Sequence, residues 1–134
     1  MADSKATRFF YGLRVTAKKK DNSREFAVEA AKLAVSRRCE RTVVLDLKGK
    51  SPATDYFLIT TGTSGRQMKT VADEINELAR QMGISRFGRA GYEQGRWILA
   101  DYVDVVIHIF DAEYRDYYDL ELLWGDAKKL KIDE

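Results

Sequence analysis

Four stretches of this 134-residue chain hold residue types that could do chemistry. Gly49-Lys50-Ser51 looks like the end of a P-loop, where backbone N–H groups and a lysine cradle phosphates. A P-loop needs a glycine five positions earlier and a helix directly after. Val44 stands at the first position, and Pro52 and a β-rich run follow. Gly62-Thr63-Ser64-Gly65 leads from a strand pattern into a helix pattern. The N–H groups of such a helix start can hold an anion, with Arg66 assisting. Nucleotidyltransferases enter a helix similarly, but they pair it with two metal-binding carboxylates on a neighbouring strand. Here Asp46 stands alone, and Asp101 and Asp104 are three apart across a turn, whereas one strand face needs a spacing of two. Asp73 and Glu74 fall on the solvent side of a helix. His108, the only histidine, shares a strand face with Val106 and Phe110 and has no nucleophile or orienting acid nearby in sequence, so a packed, hydrogen-bonded role is expected. Cys39 follows Arg37 and Arg38 at a helix end, where the negative end of the helix dipole opposes a thiolate. No catalytic residues, metal or cofactor are expected from this set.

The elements that must position these residues are legible in the periodicity. Asn22-Ser23-Arg24-Glu25 has the form of a capping box, and Phe26, Ala27, Ala30, Leu33 and Ala34 recur at helical spacing to about Arg38. Thr42–Leu47 alternates like a strand, Gly49–Pro52 is a turn, and Tyr56–Thr61 is a second β-rich run. Ser64 and Gln67 form another capping box, followed by apolar residues from Met68 to Met82 at helical spacing and Gly83 as terminator. Ile84–Gly95 has room for one short strand. Arg96–Ala100 and Val105–Phe110 predict a hairpin through Asp101–Asp104, and Glu113–Leu123 predicts a last helix ending at Trp124-Gly125. The expectation is a single three-layer-like α/β domain with a mixed five-stranded sheet flanked by helices, nucleotidyltransferase-like in outline.

Composition agrees with one folded domain, with 45% hydrophobic and 33% charged residues. No apolar run reaches the roughly 20 residues of a membrane helix, and no secretory signal is visible. One cysteine cannot form an internal disulfide, which suits a reducing, cytoplasmic setting. The net charge of +2 conceals an asymmetry: residues 1–20 carry six basic groups and one acid, and the remainder is net −3. The domain layout read from this is a basic, flexible extension at 1–21, the folded domain at 22–128, and a tail at 129–134. The extension could touch RNA through counterion release, act as a solubilising arm, or serve as an organelle address.

Four further stretches, in order, resemble the ribosomal silencing factor (Iojap-related) family. They are Val44–Ser51 running on to Thr54-Asp55-Tyr56-Phe57; Thr61–Arg66 followed by Val71-Ala72-Asp73-Glu74; Gly95–Tyr102 with Asp104–Phe110; and Arg115, Tyr117-Tyr118-Asp119-Leu120-Glu121 and Leu123-Trp124. The resemblance spans roughly residues 23–126. It implies a small α/β protein without established catalysis, which binds ribosomal protein fourteen of the large subunit and blocks joining of the small subunit. Trp97 matches the family's contact tryptophan. Ile98, Leu99 and Tyr102 are expected to add apolar contact, and Asp101 and Asp104 to face basic groups; Tyr117 and Tyr118 either extend the same surface or seal the last helix against the sheet. Trp124 is assigned to packing, and an apolar patch of this kind could pair two copies of the free protein. Val103 stands where the family usually has glycine, which predicts a different turn there; Pro52 and Ala90 also depart from the family pattern. Two other functions stay open: an enzyme using the Ser64 loop, and an RNA-binding adaptor acting through the basic extension.

Overall fold

The computed structural model describes residues 22–132; the expected basic extension at 1–21 lies outside them. In chain order the elements are α1 (Ser23–Ser36), β1 (Glu40–Asp46), β2 (Tyr56–Thr61), α2 (Gly65–Gln81), β3 (Gly88–Ala90), β4 (Trp97–Asp101), β5 (Val105–Phe110), α3 (Ala112–Tyr118), α4 (Leu120–Leu123) and β6 (Lys128–Lys129). The mixed sheet has six strands in the order β3-β4-β5-β2-β1-β6, one more than expected. Only β2 and β5 run parallel, with Tyr56 beside Val105 and Thr61 beside Phe110, and the required crossover passes through α2, β3 and β4.

Strand alternation divides the apolar residues between two faces. One face holds Val44, Tyr56, Leu58, Ile98, Ala100, Tyr102, Val105, Ile107 and Ile109. Against it pack α1, through Phe26, Ala27, Ala30, Ala31 and Ala34, and α2, through Met68, Val71, Ala72, Ile75 and Ala79. The run of alanines lets the α1 backbone lie close to the sheet. The opposite face holds Leu45, Leu47, Ile59 and Phe110, and among the described residues the short C-terminal elements cover it, through Tyr114, Leu120, Trp124 and Ala127.

Several local expectations are corrected. The Asn22 side chain makes no cap; its amide instead donates to the Met82 carbonyl at 3.2 Å, tying the start of α1 to the end of α2. The last helix is broken in two at Asp119, whose φ of 44° is left-handed. Aspartate tolerates that conformation better than most residues. The fold also continues past 128: Lys128–Lys129 pair with β1, and Leu130 is buried in the helix-side core, so the expected tail is partly structural.

The β4–β5 turn adopts a left-handed geometry that β-branched residues ordinarily avoid. Val103 has φ 74°, and the Asp104 N–H donates to the Tyr102 carbonyl at 2.9 Å, a tight three-residue turn. Two contacts over-determine it. The Asp101 carboxylate accepts the Val103 N–H at 2.8 Å, and the Asp104 carbonyl accepts N–H groups from Asp55 and Tyr56 at the start of β2.

Candidate protein-docking surface

Trp97 opens β4 opposite Phe110, and Leu99 pairs with His108, so these four side chains share the face away from α1 and α2. Trp97 is half-buried. Its ring stacks on Phe110 with centroids 4.9 Å apart and lies 4.8 Å from that of Tyr118. Its indole N–H donates to His108 Nδ1 at 3.2 Å. His108 in turn meets Phe57 edge-on at 4.5 Å, and Trp124 packs edge-on against the same Phe57. His108 is therefore the packed, hydrogen-bonded histidine that its strand position implies, and Trp124 does serve packing.

Above this layer sit α3 and α4. Asp111 caps α3 by accepting the Tyr114 N–H at 2.7 Å, and its other oxygen accepts Arg96 Nε at 2.6 Å. Burial alone would raise the Asp111 pKa, but the Tyr114 N–H and the Arg96 guanidinium outweigh it and hold the group below the usual carboxylate range. Arg96 also reaches Glu113 at 2.6 Å and lies over the Tyr114 ring. Arg115 is buried under the break between the two helices. It donates to Thr61 Oγ1 at 3.0 Å and to Glu121 Oε1 at 3.1 Å, joining α3, α4 and the end of β2.

The break tips apolar side chains outward. Tyr117 is 81% exposed, Leu122 77% and Leu123 73%, and Tyr118 lies between Tyr117 and Trp97. A shallow pocket of about 250 Å³ opens between Arg96, Glu113, Tyr114, Tyr117 and Tyr118. Around these residues stand six acids (Asp111, Glu113, Asp116, Asp119, Glu121, Asp126) and, paired with five of them, four cations (Arg41, Lys50, Arg96 and the buried Arg115), a net −2. An apolar centre inside a charged rim is the usual anatomy of a protein-binding patch.

The expected site is only partly brought together. Trp97 and Tyr117 belong to this surface, and Leu99 lies in the same sheet face but almost buried. Ile98 and Tyr102 are fully buried on the opposite face, where Tyr102 meets Phe26 edge-on at 5.0 Å, so neither can touch a partner there. The expectation took consecutive strand residues as one surface, and alternation separates them. Asp101 is 2% exposed and spends a carboxylate oxygen on the turn, so it does not face a partner's basic groups. Asp104 sits in that turn, a full strand length from Trp97 or about 14 Å. The acids of 111–126 stand where Asp101 and Asp104 were expected. Leu122 and Leu123 were missed, although Leu120-Glu121-Leu122-Leu123-Trp124 carries a signal: one helical turn cannot bury four large apolar residues.

The Ser64 loop closes on itself. Gln67 N–H donates to Ser64 Oγ at 3.1 Å, and Gln67 Oε1 accepts the Thr63 N–H at 2.7 Å. Gly95 packs against Gly65, where an added Cβ would stand 3.3 Å from the Gly65 Cα. Among the described residues no three His, Cys, Asp or Glu side chains converge as metal ligands would.

The family model for "Ribosomal silencing factor during starvation" matches residues 20–134. The chain belongs to the ribosomal silencing factor family. It is 41% identical over 109 residues to the ribosomal silencing factor of Halalkalibacterium halodurans, an alignment covering 78% of this chain and 93% of that one. It is 39% identical over 112 residues to the Bacillus subtilis factor, covering 84% and 95%. A crystal structure from Bacillus halodurans superposes with a TM-score of 0.66 at 38% identity, over 80% of this chain and 94% of that one. Membership in the ribosomal silencing factor family reaches from the end of the basic extension through β6, so it includes the outward-tipped helices α3 and α4.

Proposed function

We propose that the protein silences ribosomes without chemistry, by seating the Trp97–Tyr118–Tyr117–Leu122–Leu123 surface on the large subunit at ribosomal protein fourteen and blocking the small subunit. The observation that carries the reading is the exposed apolar cluster within an acidic rim. Proteins of the ribosome are rich in lysine and arginine, and a rim of net −2 suits such a surface. Tyr and Trp supply large, stiff contact area, and docking would remove from water the apolar surface that α3 and α4 leave exposed. Repression then follows from occupancy, since two bodies cannot fill one face.

The test is cosedimentation of the protein with purified large subunits, followed by addition of small subunits. The expected result is a pellet of protein with large subunits and a reduced yield of joined ribosomes. Full joining with the protein bound would refute the steric mechanism, and failure to pellet would refute the partner. The same surface would pair two copies of the free protein, and a mass independent of concentration in the ultracentrifuge would rule that out.

A further inference from the structure

A chain of rings joins the buried sheet to the exposed helices. Phe57 meets His108 at 4.5 Å, His108 lies 6.0 Å from Trp97, Trp97 is 4.8 Å from Tyr118, and Tyr118 meets Tyr117 at 5.0 Å. His108 is buried, Tyr117 is exposed, and half-buried Trp97 is the link between them. Ring contacts alone leave that link under-determined. The torsion that turns an indole about its Cβ–Cγ bond is broad and roughly two-fold. An indole turned over about it still offers a face to Phe110, on which it stacks at 4.9 Å. Dispersion between rings does not read which edge points inward. The indole N–H does, by donating to His108 Nδ1 at 3.2 Å.

The acceptor is itself held in place. His108 lies on β5, an interior strand, with Leu99 of β4 and Ile59 of β2 beside it in register. Phe57 meets its ring edge-on, and the Phe110 ring lies within 10° of parallel to it. Packing of this kind puts Nδ1 at a fixed point. An indole N–H can only donate, so Nδ1 must carry the lone pair and the ring proton belongs on Nε2. Trp97 has no other polar side-chain atom. With that atom turned inward and satisfied, the surface that Trp97 shows to solvent is wholly apolar. A partner then needs no acceptor of its own to dock on it.

We propose that His108 is the positioning residue of the docking surface: its Nδ1 fixes the Trp97 indole, which in turn backs Tyr118 and Tyr117. The inference rests on the docking reading for what the positioning serves, whereas the hydrogen bond belongs to the free protein. Loss of the acceptor has two effects. It leaves the indole N–H without a partner once docking excludes water. It also frees the ring to turn, so that its ordering has to occur on binding. A buried donor left unpaired is worth on the order of tenfold or more in affinity.

Two substitutions separate the hydrogen bond from the ring. His108→Phe keeps a ring and removes the acceptor; His108→Asn keeps an acceptor at the place of Nδ1 and removes the ring. Both are titrated with purified large subunits beside wild type, with thermal melting in parallel. Exchange of the Trp97 indole N–H with water is followed by NMR on nitrogen-labelled protein, with the chain's other tryptophan, Trp124, as internal reference. The expected result is an affinity loss of about tenfold in His108→Phe and near wild-type binding in His108→Asn. Indole exchange should be about fivefold faster in His108→Phe alone. In a Trp97→Phe background, His108→Phe should cost nothing further, because the bond is already gone. If His108→Asn binds no better than His108→Phe, or if His108→Phe costs as much without the Trp97 indole, His108 merely packs and the proposal is overturned. Should His108→Phe melt more than a few degrees below wild type, His108→Leu takes its place. Wild type that fails to bind large subunits would sink the docking reading. Indole exchange then decides the positioning role by itself, and equal rates in wild type and His108→Phe overturn it.

Discussion

Replacing Leu122 and Leu123 together by alanine separates docking from folding. Both side chains are about three-quarters exposed, so the fold itself has little to lose. Surface substitutions of this kind change stability by about 0.5 kcal/mol or less. Docking would remove most of their remaining apolar surface from water. A leucine truncated to alanine gives up about three carbon groups at roughly 0.8 kcal/mol each, and the exposed three-quarters of that is about 1.8 kcal/mol. At 1.4 kcal/mol per tenfold, each leucine is worth about 20-fold in affinity. The pair should lose on the order of 100-fold or more, less than the full product because neighbours share the buried area. The assay is titration of labelled protein with large subunits, with thermal melting in parallel. Wild-type affinity in the double variant would refute the assignment of this surface. A loss of affinity accompanied by a melting point lowered by more than a few degrees would show that the leucines support the fold.

Val103→Gly should stabilise the domain by up to about 1 kcal/mol, because relief of a left-handed β-branched residue outweighs the added entropy of the unfolded chain; a lower melting point would contradict the strain argument. Asp111→Ala should cost about 1 kcal/mol through loss of the α3 cap, read by urea denaturation. Because the folded Asp111 pKa is depressed, its contribution is present above the unfolded value near 4 and fades as pH falls through the folded one; in Asp111→Asn that part of the acid-side decline should vanish. Arg115→Met should cost about 2–3 kcal/mol, since it strands the Glu121 carboxylate and the Thr61 hydroxyl beneath α3 and α4, and adding Glu121→Gln should restore part of that loss.

Periodicity alone determined the long elements. β2 was expected at Tyr56–Thr61 and is found there, and α2 runs from the Ser64 cap to the Gly83 terminator, because capping and 3.6-residue spacing are local properties. The β4–β5 hairpin and the packed role of His108 were equally legible. What the chain could not declare locally was which face of each strand meets which layer. Ile98 and Tyr102 are as apolar as Trp97, and only the packing of α1 and α2 on one side decides that they are core while Trp97 borders solvent. β6 was invisible because two lysines have no strand signature; it exists because β1 offers an edge. The break at Asp119 depends on a long-range clamp, Arg115 between Thr61 and Glu121, and without it 113–123 reads as one helix. That clamp turns Tyr117, Leu122 and Leu123 outward. Their types were written in the sequence, but their exposure follows from contacts with a strand more than fifty residues away.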